Sequence, residues 1–266
     1  MNKLFFIIIA LITLSSCTTK KAYVKQDFIQ GKPQIEHILL LIDFTSLKDD
    51  IGKIWDFDED YNIKQQDFIH THLSQLLRGK GYNVLPMTLK TSGLLLDPNL
   101  AVEHYKNKSL QQSLISAPFI LRSVELNDNE LNQLTDLFYL LNGTVSPKVA
   151  NHIQKYRFAS EDAAQLLSQV ELPDNTAALV ITVNRPKISA MKNIGIGLLS
   201  AGLVLGASGG TYVGISTLHG IPSTFGYFID AKTGQLLWTN YAGSTSFKNS
   251  KSSFIKDIPA AIDYSD

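Results

Sequence analysis

A single thiol is the most reactive group this chain carries. Cys17 is its only cysteine, directly after Leu14-Ser15-Ser16, and a thiolate is the nucleophile of covalent group transfer. A second nucleophile candidate is Ser208, because Gly206-Ala-Ser208-Gly-Gly210 fits G-x-S-x-G, in which a strained strand-to-helix turn exposes a serine. Its surroundings argue against that chemistry. Thr211-Tyr-Val-Gly-Ile reads as strand rather than helix, and no acid lies between Ser208 and His219, the only downstream histidine. Packing or turn glycines account for the motif instead.

Metal and nucleotide patterns fall short in a similar way. Asp56, Asp58, Asp60 and Asn62 place oxygens at alternate positions as calcium loops do, but Tyr61 stands where such a loop needs glycine and Asp67 where it needs a bidentate glutamate. Carboxylates in that position suit the start of a helix. His70 and His72, at i and i+2 of an expected helix, point to different faces and do not share a metal. His37, His104 and His152 have no ligand partner nearby in sequence. Gly195-Ile-Gly197-Leu-Leu-Ser200 lacks the third glycine and the later acid of a dinucleotide fingerprint. Catalytic residues, metal and cofactor are therefore all expected to be none.

From Asn193 to Ile229 there is no Asp, Glu, Lys or Arg, and Ile194 to Gly206 is the most apolar stretch outside the N-terminus. If the stretch is helical, Gly202 and Gly206 form the small-residue spacing that lets helices approach closely. Leu198, Leu199, Leu203 and Leu205 are then candidates for membrane or partner contact. The competing reading is a Gly-rich core element covered by the domain itself.

Lys3 followed by the apolar run Leu4 to Leu14 has the form of a secretory signal, too short to span a bilayer comfortably. The residues Leu14-Ser15-Ser16-Cys17 resemble the lipobox of bacterial lipoproteins. That resemblance implies that residues 1–16 are a cleaved signal peptide and that Cys17 carries a diacylglyceryl group. In many species of that class a further acyl chain, such as palmitate, joins the new amino group, and two or more chains anchor stably. Thr18 and Thr19 stand where an aspartate would resemble the inner-membrane retention signal. The expected location is the cell envelope, at the outer membrane facing the periplasm of a Gram-negative cell.

Lys plus Arg and Asp plus Glu both count 24, so the net charge is zero and nucleic acid is not an expected partner. With one cysteine the chain has no intramolecular disulfide, and packing alone must hold the fold.

The elements that position these residues read as α/β. Residues 17–34 are polar and aperiodic, with Gly31 and Pro33, as a lipidated tether would be. His37 to Phe44 is a doubly buried strand. Asn62 or a neighbour caps a helix with Ile63, Phe68, Ile69, Leu73, Leu76 and Leu77 on one stripe, and Tyr82 to Pro86 returns as strand, giving a βαβ start. Residues 98–170 read as a helical middle section, Ala177 to Val183 as a further buried strand, and Phe225 to Tyr241 as a C-terminal β-hairpin. The expected organisation is a single mixed-sheet α/β domain over residues 35–266, with a helical insertion at about 98–170 and the apolar Gly-rich segment at 193–210.

This order of elements, with Asp230-Ala-Lys-Thr-Gly-Gln-Leu-Leu-Trp238 as its one crisp local motif, is similar to small α/β envelope lipoproteins such as the curli-secretion channel and penicillin-binding-protein activator lipoproteins. The resemblance implies a lipid-anchored envelope binding or assembly protein without catalytic activity. Its partners would be membrane lipid through Cys17 and an envelope protein. The alternatives are a subunit of a membrane-inserted oligomeric pore or secretion complex, which leaves a homo-oligomer open, and an extracytoplasmic serine hydrolase acting through Ser208.

Overall fold

A computed structural model describes residues 22–49, 55–96, 99–143, 160–185, 223–243 and 254–261. In chain order these form β1 (Tyr23–Val24), α1 (Gln26–Ile29), β2 (His37–Thr45), β3 (Leu47–Asp49), β4 (Trp55–Asp58), α2 (Glu59–Arg78), β5 (Asn83–Ser92), β6 (Ala101–Lys106), β7 (Ser109–Ser116) and β8 (Ile120–Val124). There follow α3 (Asp128–Gly143), α4 (Ser160–Leu167), β9 (Thr176–Asn184), β10 (Ser223–Asp230) and β11 (Leu236–Gly243).

The molecule is mixed α/β, built on a 7-stranded sheet of order β1-β11-β10-β9-β2-β5-β8. β2 lies in its interior, between β9 and β5, because an unbroken apolar run can be satisfied only where both faces are covered. Ile38, Leu39, Leu40, Leu41, Ile42 and Phe44 are all fully buried. β5 and β9 flank β2 in parallel, whereas β8, β10 and β11 add antiparallel strands outside them. α2 connects β2 through β4 to β5, the crossover that parallel neighbours require.

Alternation along β2 divides the core in two. Ile38, Leu40, Ile42 and Phe44 meet Ile69, Leu73 and Leu77 of α2, together with Phe254, Ile255 and Ile258 from the C-terminal segment. Leu39 and Leu41 face the other way, onto Leu134, Leu137 and Phe138 of α3 and Ala163 and Leu167 of α4. The result is helix, sheet, helix, each apolar stripe finding a partner layer.

α2 starts one turn before the position expected for its cap. Asp58, not Asn62, is the N-cap, its Oδ1 accepting from the Tyr61 amide at 3.0 Å. Asn62 is buried inside the helix with its amide already occupied: Oδ1 accepts from Ser46 N at 2.8 Å, and Nδ2 donates to Asp58 O at 2.8 Å. Asp58→Ala should therefore cost about 1 kcal/mol of stability, the usual loss of one capping acceptor, measured as a shift in the urea midpoint.

Among the described residues of 98–170, only those of the second half are helical. β6 and β7 form a hairpin in a second sheet of order β3-β4-β6-β7, over a small core of Leu47, Phe57, Val102 and Ile120. Its turn residues Asn107 and Lys108 both have positive φ, 50° and 62°, the backbone handedness that matches strand twist in a two-residue hairpin. β7 has no apolar alternation, so the turn and the pairing with β6 make it a strand. The helical expectation holds for α3 and α4.

The polar stretch before residue 35 also folds from Ala22 onward. β1 pairs antiparallel with β11, Tyr23 opposite Thr239 and Val24 opposite Trp238. Phe28 of α1 is buried and stacks on Phe228 at 5.4 Å. A few scattered apolar residues, with Phe28 meeting a partner two hundred residues away in sequence, leave no local periodicity to read.

Candidate functional site

The C-terminal ends of parallel strands are where open α/β sheets place ligands. At that end of β2, β5 and β9 the side chains turn from apolar to polar. By register Asp43 of β2 stands between Thr91 of β5 and Thr182 of β9, on the face that carries Leu41, Leu89 and Val180 one step earlier. All of these polar residues are buried.

Asp43 is the unusual member. Thr91 Oγ1 donates to its Oδ1 at 2.7 Å, and the Leu94 amide approaches the same oxygen at 3.4 Å. Burial pushes its carboxyl up to about 7, against the opposing pull of those two donors. The Thr182 hydroxyl on the adjacent strand is buried without a hydrogen-bond partner. Tyr139 of α3 is held above its ordinary value by burial and then by the Asp43 charge.

A second layer fixes this end of the sheet. Thr45 Oγ1 accepts from the Gly93 amide at 2.6 Å, and Ser92 Oγ donates to Phe44 O at 2.6 Å. Gln66 of α2 donates to Thr91 O at 2.7 Å and to Ser92 Oγ at 2.8 Å, and accepts from Arg122 Nη2 at 2.9 Å. Arg122 and Lys90 both reach Asp67, each at 3.0 Å. Burial alone would raise the Asp67 carboxyl, but these two cations hold it below its ordinary value. Arg185, just past β9, donates its amide to Thr45 O at 2.8 Å and sets its guanidinium 5.9 Å from the centre of the Phe44 ring.

Chemically the row is a carboxyl that holds or releases a proton near neutrality, between two threonines. Among the described residues its hydrogen-bond partners are the Thr91 hydroxyl and the Leu94 amide. Asp43 belongs to no recognisable sequence motif. The signal was an acid inside the apolar run from Leu39 to Phe44, where only a buried carboxyl or a strand end can stand.

The residues singled out from sequence fare differently. Cys17, Leu198, Leu199, Leu203, Leu205, Ser208, His152 and His219 lie outside the described residues. His104 gains a partner that spacing did not disclose: its Nε2 is 2.6 Å from Glu59 Oε2, while Lys106 Nζ donates to Oε1 at 2.8 Å. The Lys106 hydrogen bond, followed by His104, holds the Glu59 carboxyl below its usual range despite partial burial. The acidic run at Asp58 to Asp60 thus serves the N-terminus of α2 and pairs with β6. His70 is half-buried and held low by burial and then by Lys90, while the His72 ring stacks 6.1 Å from Phe68. His37 Nδ1 lies 3.1 Å from Asn83 Nδ2. Among the described residues no three His, Cys, Asp or Glu side chains converge as metal ligands, and no helix is long and apolar enough to cross a membrane.

No family model, curated protein or solved structure matches this chain. Its functional reading therefore rests on its own residues.

Proposed function

We propose that the chain is a lipid-anchored protein of the bacterial envelope, working by binding or assembly rather than catalysis. The acylated residue is Cys17, and the membrane is the outer one, on its periplasmic face. The observation that most supports this is the start of the fold. β1 pairs with β11 from Tyr23 onward, so only a short stretch separates the candidate lipid attachment point from a rigid sheet edge. A protein held so closely to one leaflet meets partners there at high effective concentration, and weak contacts suffice.

The test is metabolic labelling with a fatty acid, combined with fractionation. Wild-type protein should take up label and float with membranes, whereas Cys17→Ser should do neither. Label entering the Cys17→Ser protein would end the proposal.

One observation favours a second reading, a subunit of a membrane-inserted oligomeric complex. Asn184 at the end of β9 pairs with Ser223 at the start of β10. The chain between them, uncharged from Asn193 onward, leaves and returns at one end of the sheet, so any insertion there crosses an even number of times. Size measurement in detergent separates the two readings, a monomer favouring the adaptor and a defined multimer the complex.

A further inference from the structure

We propose that the β1–α1 edge of the domain lies against the bilayer itself, with Ile29 and Tyr23 entering the lipid interface. The inference rests on acylation at Cys17 and adds to it an orientation and a contact surface.

Chain length carries the first part of the argument. Between Cys17 and Ala22, the first described residue, there are 22 − 17 = 5 residue steps. A fully extended chain covers at most about 3.6 Å per residue, so the attachment reaches roughly 18 Å. The described residues, about 170 of them, form a folded unit with a radius of gyration near 15 Å and hence a diameter of roughly 40 Å. The domain cannot turn over on such a tether. The hemisphere carrying Ala22 must face the membrane.

That edge is rigid, so the constraint passes into the fold. The Lys25 amide donates to Leu237 O at 2.8 Å, β1 is hydrogen-bonded to β11, and Phe28 is locked between α1 and Phe228. With Phe28 committed to the core, its neighbour Ile29 is left 53% exposed, and Tyr23 is 36% exposed on the edge strand. An exposed isoleucine and an exposed amphipathic tyrosine within seven residues of chain are what an interface of headgroups and acyl chains accepts. Around them the sequence places Lys20, Lys21, Lys25 and Lys32 against Asp27 alone, a local excess of positive charge in a chain whose net charge is zero. Such an excess suits anionic headgroups.

The opposite edge supplies an internal control. Leu121 of β8 is 46% exposed, as open as Ile29, but β8 and β1 are the two ends of the 7-stranded sheet. At about 4.8 Å per strand spacing they lie roughly 29 Å apart.

Ile29→Cys and Leu121→Cys, each made in the acylated protein, are labelled with a nitroxide and bound to vesicles of phosphatidylethanolamine and phosphatidylglycerol. Lipid on Cys17 leaves the introduced thiol as the only one available. Collisions with oxygen, relative to those with a water-soluble nickel chelate, should be several-fold more frequent at residue 29 than at residue 121. Equal ratios in protein that still floats with the vesicles would overturn the orientation and leave anchoring intact. Protein that carries no acyl mass and does not float would overturn both.

Discussion

Asp43→Asn should gain about 4 kcal/mol of stability relative to the wild-type protein as pH rises from 4 to 7. Burial lifts the folded carboxyl from 3.8 to about 7. Below 3.8 both states are protonated, and the stability associated with this group is fully present. As pH rises, the unfolded carboxyl ionises freely while the folded one resists, so each unit costs about 1.4 kcal/mol until the folded group ionises near 7. Asparagine keeps an oxygen for the Thr91 hydroxyl and the Leu94 amide but carries no charge to desolvate. Glu59, Asp67 and His70, whose values are shifted downward, act in the opposite sense but equally in both proteins, and cancel in the difference. Urea midpoints measured from pH 4 to pH 8 should give curves that diverge with rising pH. Parallel curves would show that the carboxyl is solvated.

Gly234→Ala should destabilise by about 4 kcal/mol, combining the left-handed backbone penalty with overpacking. Gly234 closes the β10–β11 turn at φ 65°, its amide donating to Asp230 O at 2.8 Å. Asp230 organises the same turn, accepting from the Lys232 amide at 3.0 Å and the Thr233 hydroxyl at 2.6 Å. A methyl group on Gly234 would stand 1.8 Å from Ser160 O and 2.6 Å from Ala164 N. It would strike the backbone of α4, which cannot yield without withdrawing Ala163 and Leu167 from the core. Lys232→Ala, an exposed change in the same turn, should stay within about 0.5 kcal/mol. Similar urea midpoints for the two variants would refute the account of the glycine.

The glycine in Asp230-Ala-Lys-Thr-Gly234 was legible as a turn residue, yet nothing in those letters says that α4 presses against it. Other elements divide along the same line. β2, α2, β9 and the β10–β11 hairpin could be read because each announces itself locally, through an apolar run of strand length, a helical stripe or a turn between two β-prone runs. β1, β6 and β7 could not, since Tyr23–Val24 is too short and Ser109–Ser116 too polar to signal strand without a partner. His104 has no ligand nearby in sequence, and Glu59 reaches it only because β4 and β6 run side by side.

What the amino-acid order determined alone is the class of the fold and the candidacy of Cys17, because periodicity and a lone nucleophile after an apolar run are local properties. Only the tertiary structure decided that Asp43 is buried between two threonines, that Glu59 and His104 meet, and that the chain joins the sheet by residue 23. Desolvation, strand register and long-range pairing depend on residues far apart in the chain, and no short window of sequence contains both sides of such a contact.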